Sequence, residues 1–122
     1  MRVLAALRAR VPAMGEDRYL APDLLAAQRL RYRVFVEELG ADGDLVDHEN
    51  RLERDAFDPV VDHLVLVDRR RPESDLEHVV GVYRLLPGDR IGGNDRFYCD
   101  GEYDLAPLRR SGRRVLELGR SC

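Results

Sequence analysis

The chain has 122 residues, a length typical of one domain. Its 20 basic and 23 acidic residues give a net charge of −3, so the sequence lacks the basic field that a dedicated nucleic-acid binder requires. Aromatic residues make up 7% and tryptophan is absent, which leaves little for a base-stacking surface. Two cysteines without a CxxC motif are typical of a reducing compartment rather than of a secreted disulfide scaffold.

No apolar run approaches the roughly 18 residues of a membrane span, and the run at the start is too short for a secretory signal. We therefore expect a cytoplasmic protein that meets a membrane at most at its surface. All basic residues are arginine, so no lysine is available to form a Schiff base.

Two elements are predicted in the first third of the chain. Weak alternation of apolar and polar residues predicts a strand at residues 3–11. Apolar residues spaced by three and four predict a helix from Leu24 to Leu39. Pro22 suits the first turn of this helix and Gly40 suits its exit.

Three further strands are predicted. The first two are the apolar runs His63 to Asp68 and Val79 to Leu86, and their short polar connection favours antiparallel pairing. Residues 88–114 are expected to be irregular. The run Val115 to Ser121 begins a last strand in which the chain ends, so we expect a truncated domain.

Residues 41–62 are acidic and aperiodic, which predicts a loop. Asp42 and Glu53 match the two ends of a calcium loop, but Val46 stands where a ligand is needed and Asp47 where the sharp turn needs glycine. We therefore favour a solvated acidic loop. The three histidines are scattered without ligand spacing, so no metal site is expected.

The end of this loop carries three carboxylates in close sequence, on Glu53, Asp55 and Asp58. Carboxylates at this spacing repel one another unless a cation lies among them. A substrate ammonium group and a protein arginine are both suitable cations, and the sequence leaves the choice between them open.

Arg84 lies within an apolar strand, where alternation places it on one face with Val80, Val82 and Leu86. An arginine on an apolar face must pair with carboxylates or stay near the edge. Two interpretations remain open. One is a structural ion pair with a loop acid, and the other is a site arginine that holds an anionic group of a substrate.

Glu117 lies between two leucines in the last predicted strand. A bulge at Gly119 would place Glu117 and Arg120 on the same face. A carboxylate partly withdrawn from water can accept a proton near neutrality, which makes Glu117 a candidate base. An ion pair of Glu117 with Arg120 or Arg84 is the equally open alternative.

Four motifs follow one another in an order that is typical of one superfamily. They are Arg31-Tyr32-Arg33-Val34-Phe35 on a helix, Glu53-x-Asp55-x-x-Asp58, Val80-Gly81-x-x-Arg84-Leu85-Leu86-Pro87 and Glu117-x-x-Arg120. This order resembles the acyl-carrier-protein-dependent acyltransferases of the GNAT-like superfamily. Two branches share it: the acyl-homoserine-lactone (autoinducer) synthases and the ornithine N-acyltransferases of ornithine-lipid synthesis, often labelled hemolysin-like.

The residues at 27–41, Phe97-Tyr98, 102–105 and 116–122 resemble the ornithine branch more closely, and the tryptophan usual after this helix in autoinducer synthases is absent. The resemblance implies an α/β (α+β) chain in which residues 1–122 form a single GNAT-like acyltransferase domain without its C-terminal part. In it, a mixed, mostly antiparallel sheet is flanked by helices.

The implied reaction transfers a (3-hydroxy)fatty acyl group from the phosphopantetheine thioester of acyl carrier protein to the α-amine of ornithine, giving lyso-ornithine lipid. No bound cofactor and no metal are implied. Acyl carrier protein and ornithine are the implied partners, and the arginine runs at 69–71 and 109–114 are either solvated turns or surfaces that attract the acidic carrier or anionic lipid head groups. An autoinducer synthase using S-adenosylmethionine and a non-catalytic GNAT-like binding remnant remain the alternatives.

The resemblance also implies roles for seven residues. Glu117 would accept the proton of the attacking amine, and Arg84 or Arg120 would hold the ornithine carboxylate as a fork. A bulge at Gly119–Arg120 would expose a backbone N–H to the thioester oxyanion.

The remaining implied residues surround the acidic loop. Asp55 and Asp58 would bind acceptor ammonium groups. Arg31 would pair with the loop and fix its shape, with Phe35 packed beneath.

Overall fold

The structure, a computed structural model, describes residues 2–3, 22–90 and 96–122. Most of the predicted strand at residues 3–11 therefore lies outside the described residues. In the described part of the chain, no helix is both long and apolar enough to cross a lipid bilayer.

The described residues form an antiparallel sheet of four strands in the order β1-β2-β3-β4. These are β1 (Arg2–Val3), β2 (Asp62–Val67), β3 (Val79–Pro87) and β4 (Leu116–Gly119). The three strands predicted from apolar runs are confirmed to within two residues at each end, as is the antiparallel pairing of the first two. The expected class, helices with a mostly antiparallel sheet, is thereby confirmed.

Helix α1 (Pro22–Arg31) carries Asp23 in its first turn and continues directly into a π-helical segment at Tyr32–Glu38. The helix leaves through Gly40, whose φ of +74° lies in the left-handed region that glycine adopts without a Cβ clash. The predicted helix and its exit are therefore confirmed. Its π-helical second half, which closes with a bond from the Leu39 N–H to the Val34 carbonyl at 3.1 Å, was not predicted.

The main core lies between α1 and one face of the sheet. Small side chains on the helix, Ala26 and Ala27, are fully buried and bring the helix backbone close to the strands. Leu30 completes the helix side of this core, and four valines complete the sheet side: Val65, Val67, Val79 and Val82. A second cluster, formed by Val61, Leu86 and Phe97, fills the space near the start of β4.

One predicted position on β3 is wrong. Val80 was expected to share the buried face with Arg84, but Val79 is the buried residue and Val80 is only half-buried. The cause is an irregular register, because Leu66 pairs with Gly81 whereas its neighbour Val67 pairs with Val79. One extra residue in a strand reverses which side chains face the core.

The connections are mostly irregular, as predicted. In the acidic loop, Asp47 and Leu52 exchange two backbone hydrogen bonds of 2.9 Å. Between β3 and β4, the segment predicted to be irregular contains a short 3-10 turn at Tyr98–Gly101 and one short helix, α2 (Ala106–Arg110). Both elements bear on the candidate site.

Candidate active site

A fully buried guanidinium, that of Arg31 in the last turn of α1, ties the helix to the acidic loop. Its Nε donates to Glu53 Oε2 at 2.6 Å and its Nη1 donates to Asp58 Oδ1 at 2.8 Å. Burial by itself would lower the pKa of Arg31, but the charge and hydrogen bonds of Asp58, with Glu53, reverse this and raise it. The ion pairs expected between Arg31 and the loop are present.

Arg84 is buried on β3, opposite His63 of β2. Its Nη1 donates to Asp55 Oδ1 at 2.6 Å and to Asp58 Oδ1 at 3.0 Å, so Asp58 lies between two guanidinium groups. Burial would raise the pKa of Asp58, but Arg31 and Arg84 together bring it below its usual value. The ion pair of Arg84 with the loop acids, one of the two interpretations left open by the sequence, is therefore present. The other interpretation, that Arg84 binds an anionic group of a substrate, stays a prediction.

Arg120 supplies the third guanidinium. Its Nη2 lies 3.1 Å from Glu53 Oε1 and 3.9 Å from Asp55 Oδ2. The guanidinium also lies between two aromatic rings, 4.9 Å from the centroid of Phe35 and 5.0 Å from that of Tyr98. Phe35 therefore reaches the site through Arg120.

The strand that carries Glu117 and Arg120 is bulged. Arg84 pairs with Gly119, and Val82 pairs with Cys122 through hydrogen bonds of 2.8 and 3.1 Å. The step from Gly119 to Cys122 is one residue longer than the step from Arg84 to Val82, so an extra residue lies between them. Arg120 has a φ of +49° and lies in this bulge, which agrees with the bulge expected at Gly119–Arg120.

Within the bulge, the backbone N–H groups of Arg120 and Ser121 have no backbone acceptor among the described residues. Such groups are the donors that an oxyanion requires. The bulge also brings Glu117 and Arg120 to the same pocket, as the sequence argument expected from a change of parity.

Glu117 is fixed by the 3-10 turn that precedes α2. Its Oε1 accepts a hydrogen bond from the Tyr98 N–H at 2.8 Å and its Oε2 accepts one from the Cys99 N–H at 2.9 Å. The Glu117 carboxylate is also the main cause that raises the pKa of the Cys99 thiol to about 11. Within the described residues, neither Arg84 nor Arg120 forms an ion pair with Glu117, so that alternative is not present.

These side chains surround a pocket of about 150 Å³. Its polar wall consists of Glu117, Arg84 and Arg120, while Phe57 and Tyr98, in edge-to-face contact at 5.6 Å, belong to its apolar wall. The other predicted residues, Arg31, Phe35, Asp55 and Asp58, do not line the pocket. Phe35, Asp55 and Asp58 contact its two arginines, and Arg31 is paired with Asp58.

Sequence reasoning missed the part of the site contributed by residues 97–101. Tyr98 and Cys99 act on Glu117 through backbone N–H groups, which every residue type except proline carries, so no side-chain pattern could identify them. The only clue was that Phe97-Tyr98 belongs to the segments that resemble the ornithine branch.

The arrangement is suited to a zwitterion. Two guanidinium groups can bind a carboxylate, and the fixed carboxylate of Glu117, which lines the same pocket, can bind or deprotonate an ammonium group. In the described residues, the one group of side chains with metal-ligand proximity is Asp23, Glu73 and His78, and none of these lines the pocket.

Comparison with known proteins places this site in a family context. The L-ornithine N(alpha)-acyltransferase of Rhodobacter capsulatus is 67% identical over 102 residues, which cover 84% of this chain and 39% of that protein. Proteins of the same name from Agrobacterium fabrum and Brucella abortus are 42% and 40% identical over 99 residues, covering 80% of this chain and 34% and 35% of those proteins. The resemblance to ornithine N-acyltransferases is thereby confirmed.

The chain spans between about a third and two-fifths of the length of these curated relatives. No solved structure matches it. The model of the acetyltransferase (GNAT) domain matches residues 30–122, a stretch that contains the pocket and the ion pairs beneath it. The chain belongs to the GNAT acetyltransferase family.

Proposed function

We propose that this chain functions as an N-acyltransferase domain that acylates the α-amine of ornithine. The names of its relatives support the acceptor, since the three proteins described above are each called L-ornithine N(alpha)-acyltransferase. The proposed donor is a (3-hydroxy)fatty acyl thioester on the phosphopantetheine of acyl carrier protein, and the product is lyso-ornithine lipid. The protein itself would bind no cofactor.

One observation carries this proposal for the acceptor. Arg84 and Arg120 each keep a buried Nε–H without a hydrogen-bond partner among the described residues, and both residues line the pocket with Glu117. Unpaired buried donors are costly unless a ligand satisfies them. The α-carboxylate of ornithine would do so, and its α-ammonium group would then lie on the side of Glu117.

The two aspartates, Asp55 and Asp58, position the arginines of the site. Asp55 does not line the pocket, and its Oδ1 accepts a hydrogen bond from Arg84 at 2.6 Å, so we assign it to holding that arginine in place. Asp58 is buried and already bonded to Arg31 and Arg84, so we assign it to holding those two arginines in place. Phe35 would orient Arg120 through its ring.

The chemical step follows from these positions. Glu117 takes a proton from the ammonium group, directly or through water, and the freed amine attacks the thioester carbon. The oxygen of the tetrahedral intermediate accepts hydrogen bonds from the N–H groups of Arg120 and Ser121, for which the described residues supply no backbone acceptor. Its collapse forms the amide and releases the pantetheine sulfur, which takes up a proton.

The product is a lipid, so contact with the membrane surface is part of the proposal. The arginines at 69–71 are exposed and would attract anionic head groups or the acidic carrier protein. The cytoplasmic side of the membrane is the expected location.

The test uses the complete gene product that contains these residues, incubated with ornithine and a 3-hydroxyacyl carrier protein, with products identified by mass spectrometry. We expect N-acylornithine, and a loss of turnover of about 100-fold or more in Glu117→Gln. The exposed Glu38→Gln is the matched control and should keep full turnover.

Other products would redirect the assignment. An acyl-homoserine lactone formed from S-adenosylmethionine in place of ornithine would identify an autoinducer synthase. Binding of ornithine or the carrier without turnover would identify a non-catalytic module. Unchanged turnover in Glu117→Gln would remove Glu117 as the proton acceptor.

A further inference from the structure

Glu117 depends on a turn that lies outside the sheet. The residues that hold its carboxylate, Tyr98 and Cys99, donate from consecutive backbone N–H groups at 2.8 and 2.9 Å. Two neighbouring peptide groups can point at one carboxylate only while the turn keeps its shape. The position of Glu117 in the pocket is therefore set by whatever fixes the turn at Tyr98–Gly101.

Asp100 closes this turn upon itself. Its Oδ2 accepts a hydrogen bond from the Phe97 N–H at 2.6 Å, and its own N–H donates to the Phe97 carbonyl at 3.3 Å. The side chain of Asp100 thus holds the peptide that directly precedes the two donors to Glu117.

Asp100 is in turn held by α2. Arg109 donates from Nη1 to Asp100 Oδ1 at 2.8 Å and from Nη2 to Asp100 Oδ2 at 2.6 Å, a two-pronged contact that fixes the plane of the carboxylate. The Arg109 hydrogen bond, with that from the Phe97 N–H, lowers the pKa of Asp100, so the carboxylate stays ionised at neutral pH.

We propose that Asp100 is a positioning residue for Glu117: through the Phe97–Gly101 turn it aims the two backbone N–H groups that hold the Glu117 carboxylate in the pocket. The inference rests on the proposed function for the meaning of Glu117, but the geometry it describes exists without a substrate. Asp100 does not line the pocket, so its effect on the reaction is indirect.

The molecule contains its own reporter of this geometry. Cys99 and Glu117 line the same pocket, and the Glu117 carboxylate is the main reason why the pKa of the Cys99 thiol reaches about 11. If Glu117 moves away, the thiol should titrate closer to the usual value of about 8.5. The thiolate is the form that alkylates, so the pH dependence of alkylation measures this effect of Glu117.

The experiment measures iodoacetamide alkylation of Cys99 against pH in the substrate-free complete gene product, with peptide mapping to separate Cys99 from Cys122. In Asp100→Ala we expect the alkylation midpoint to fall by one pH unit or more, as it should in the reference variant Glu117→Gln. Asp100→Asn keeps an acceptor for the Phe97 N–H but loses the charge that Arg109 holds, so it should lie in between. The exposed acid Glu102 gives the matched control, Glu102→Gln, which should leave the midpoint unchanged.

The kinetic readout separates positioning from general damage. A misplaced base should lower kcat by about 10- to 100-fold in Asp100→Ala and change the acidic limb of the pH profile, while the KM for the acyl donor stays the same. A uniform loss at every pH, in proportion to the folded fraction, would instead indicate a purely structural role and overturn the proposal.

The two proposals fail separately. An alkylation midpoint that moves in Glu117→Gln but not in Asp100→Ala would overturn the role of Asp100, whatever the protein acylates. A midpoint that moves in both, in a protein that does not acylate ornithine, would support the positioning of Glu117 and reject the proposed acceptor. If Asp100→Ala does not fold, the alkylation midpoint of Cys99 in Asp100→Asn and Arg109→Lys tests the role of Asp100 instead.

Discussion

Charged side chains are buried beneath the candidate active site because each has partners of opposite charge. Arg31 is fully buried and contacts Glu53 and Asp58, and Arg84 is 4% exposed and contacts Asp55 and Asp58. The sequence indicated that the loop carboxylates need a cation and that Arg84 needs an anion. It could not choose between a protein arginine and a substrate ammonium group, because that choice depends on which side chains the fold brings within 3 Å.

Removal of one partner tests how far this network stabilises the fold. Arg31→Met keeps the length of the side chain but leaves Glu53 and Asp58 buried without their shared cation, so we expect a loss of about 3–5 kcal/mol in the free energy of unfolding. Urea titration measures it. The neighbouring exposed arginine provides the control Arg33→Met, which should change the stability by less than about 0.5 kcal/mol. Equal midpoints for the two variants would contradict the prediction.

At the scale of elements, the helix was predicted with nearly its observed bounds, but not with its π-helical half. Apolar spacing of three and four residues reports which face is buried and is insensitive to a small change in helical pitch. The segment Tyr32–Glu38 carries Phe35, whose ring lies against Arg120 from a strand far away in sequence. Contacts of this kind act only after the chain has folded.

The exact position of the bulge in the last strand is a second feature that the local sequence does not determine. Gly119 indicated a bulge at Gly119–Arg120, and the residue with the left-handed backbone conformation in the observed bulge is Arg120. The register is decided by pairing with β3, where Val82 exchanges two backbone hydrogen bonds with Cys122. The partner strand therefore places the bulge.

The turn that follows β3 is closely packed around Gly88, and the substitution Gly88→Ala tests how tight this packing is. A Cβ at Gly88 would lie 3.2 Å from the Val115 carbonyl oxygen and 3.3 Å from Phe97 Cζ, so Gly88→Ala must push β4 or the Phe97 ring outward. We expect a loss of about 1 kcal/mol or more in the free energy of unfolding, measured in urea. At Gly43 the nearest atom would be 3.8 Å away, so Gly43→Ala should be nearly neutral. If Gly88→Ala is as stable as Gly43→Ala, the neighbours of Gly88 can move at no cost in free energy and the prediction is wrong.

At the scale of the whole molecule, the sheet and the acidic loop enclose a histidine that has no part in the proposed reaction. His63 is 1% exposed on β2, opposite Arg84, and its Nε2 lies 3.4 Å from the Asp58 carbonyl oxygen. Burial lowers the pKa of His63, aided by the positive charges of Arg31 and Arg84 and opposed by Asp58. The folded chain therefore holds this imidazole neutral.

This predicts a pH dependence of stability. The unfolded chain binds a proton at His63 near the ordinary pKa of 6.5, whereas the folded chain binds it only at lower pH. The stabilisation is therefore complete above about pH 6.5 and is lost as the pH falls below it. Urea midpoints should be lower at pH 5.5 than at pH 7.5, and the difference should shrink in His63→Gln. An unchanged difference in that variant would assign the effect to other groups.

The sequence alone determined the composition class, the long helix and its exit at Gly40, the antiparallel pairing of β2 and β3, and the set of charged residues that the site uses. These follow from local periodicity, turn chemistry and motif order, which are properties of neighbouring residues. The tertiary structure decided which arginine meets which carboxylate, where the bulge lies and what holds Glu117. Those outcomes depend on backbone groups and side chains that are distant along the chain and come together only when the sheet, the helix and the acidic loop pack around one another.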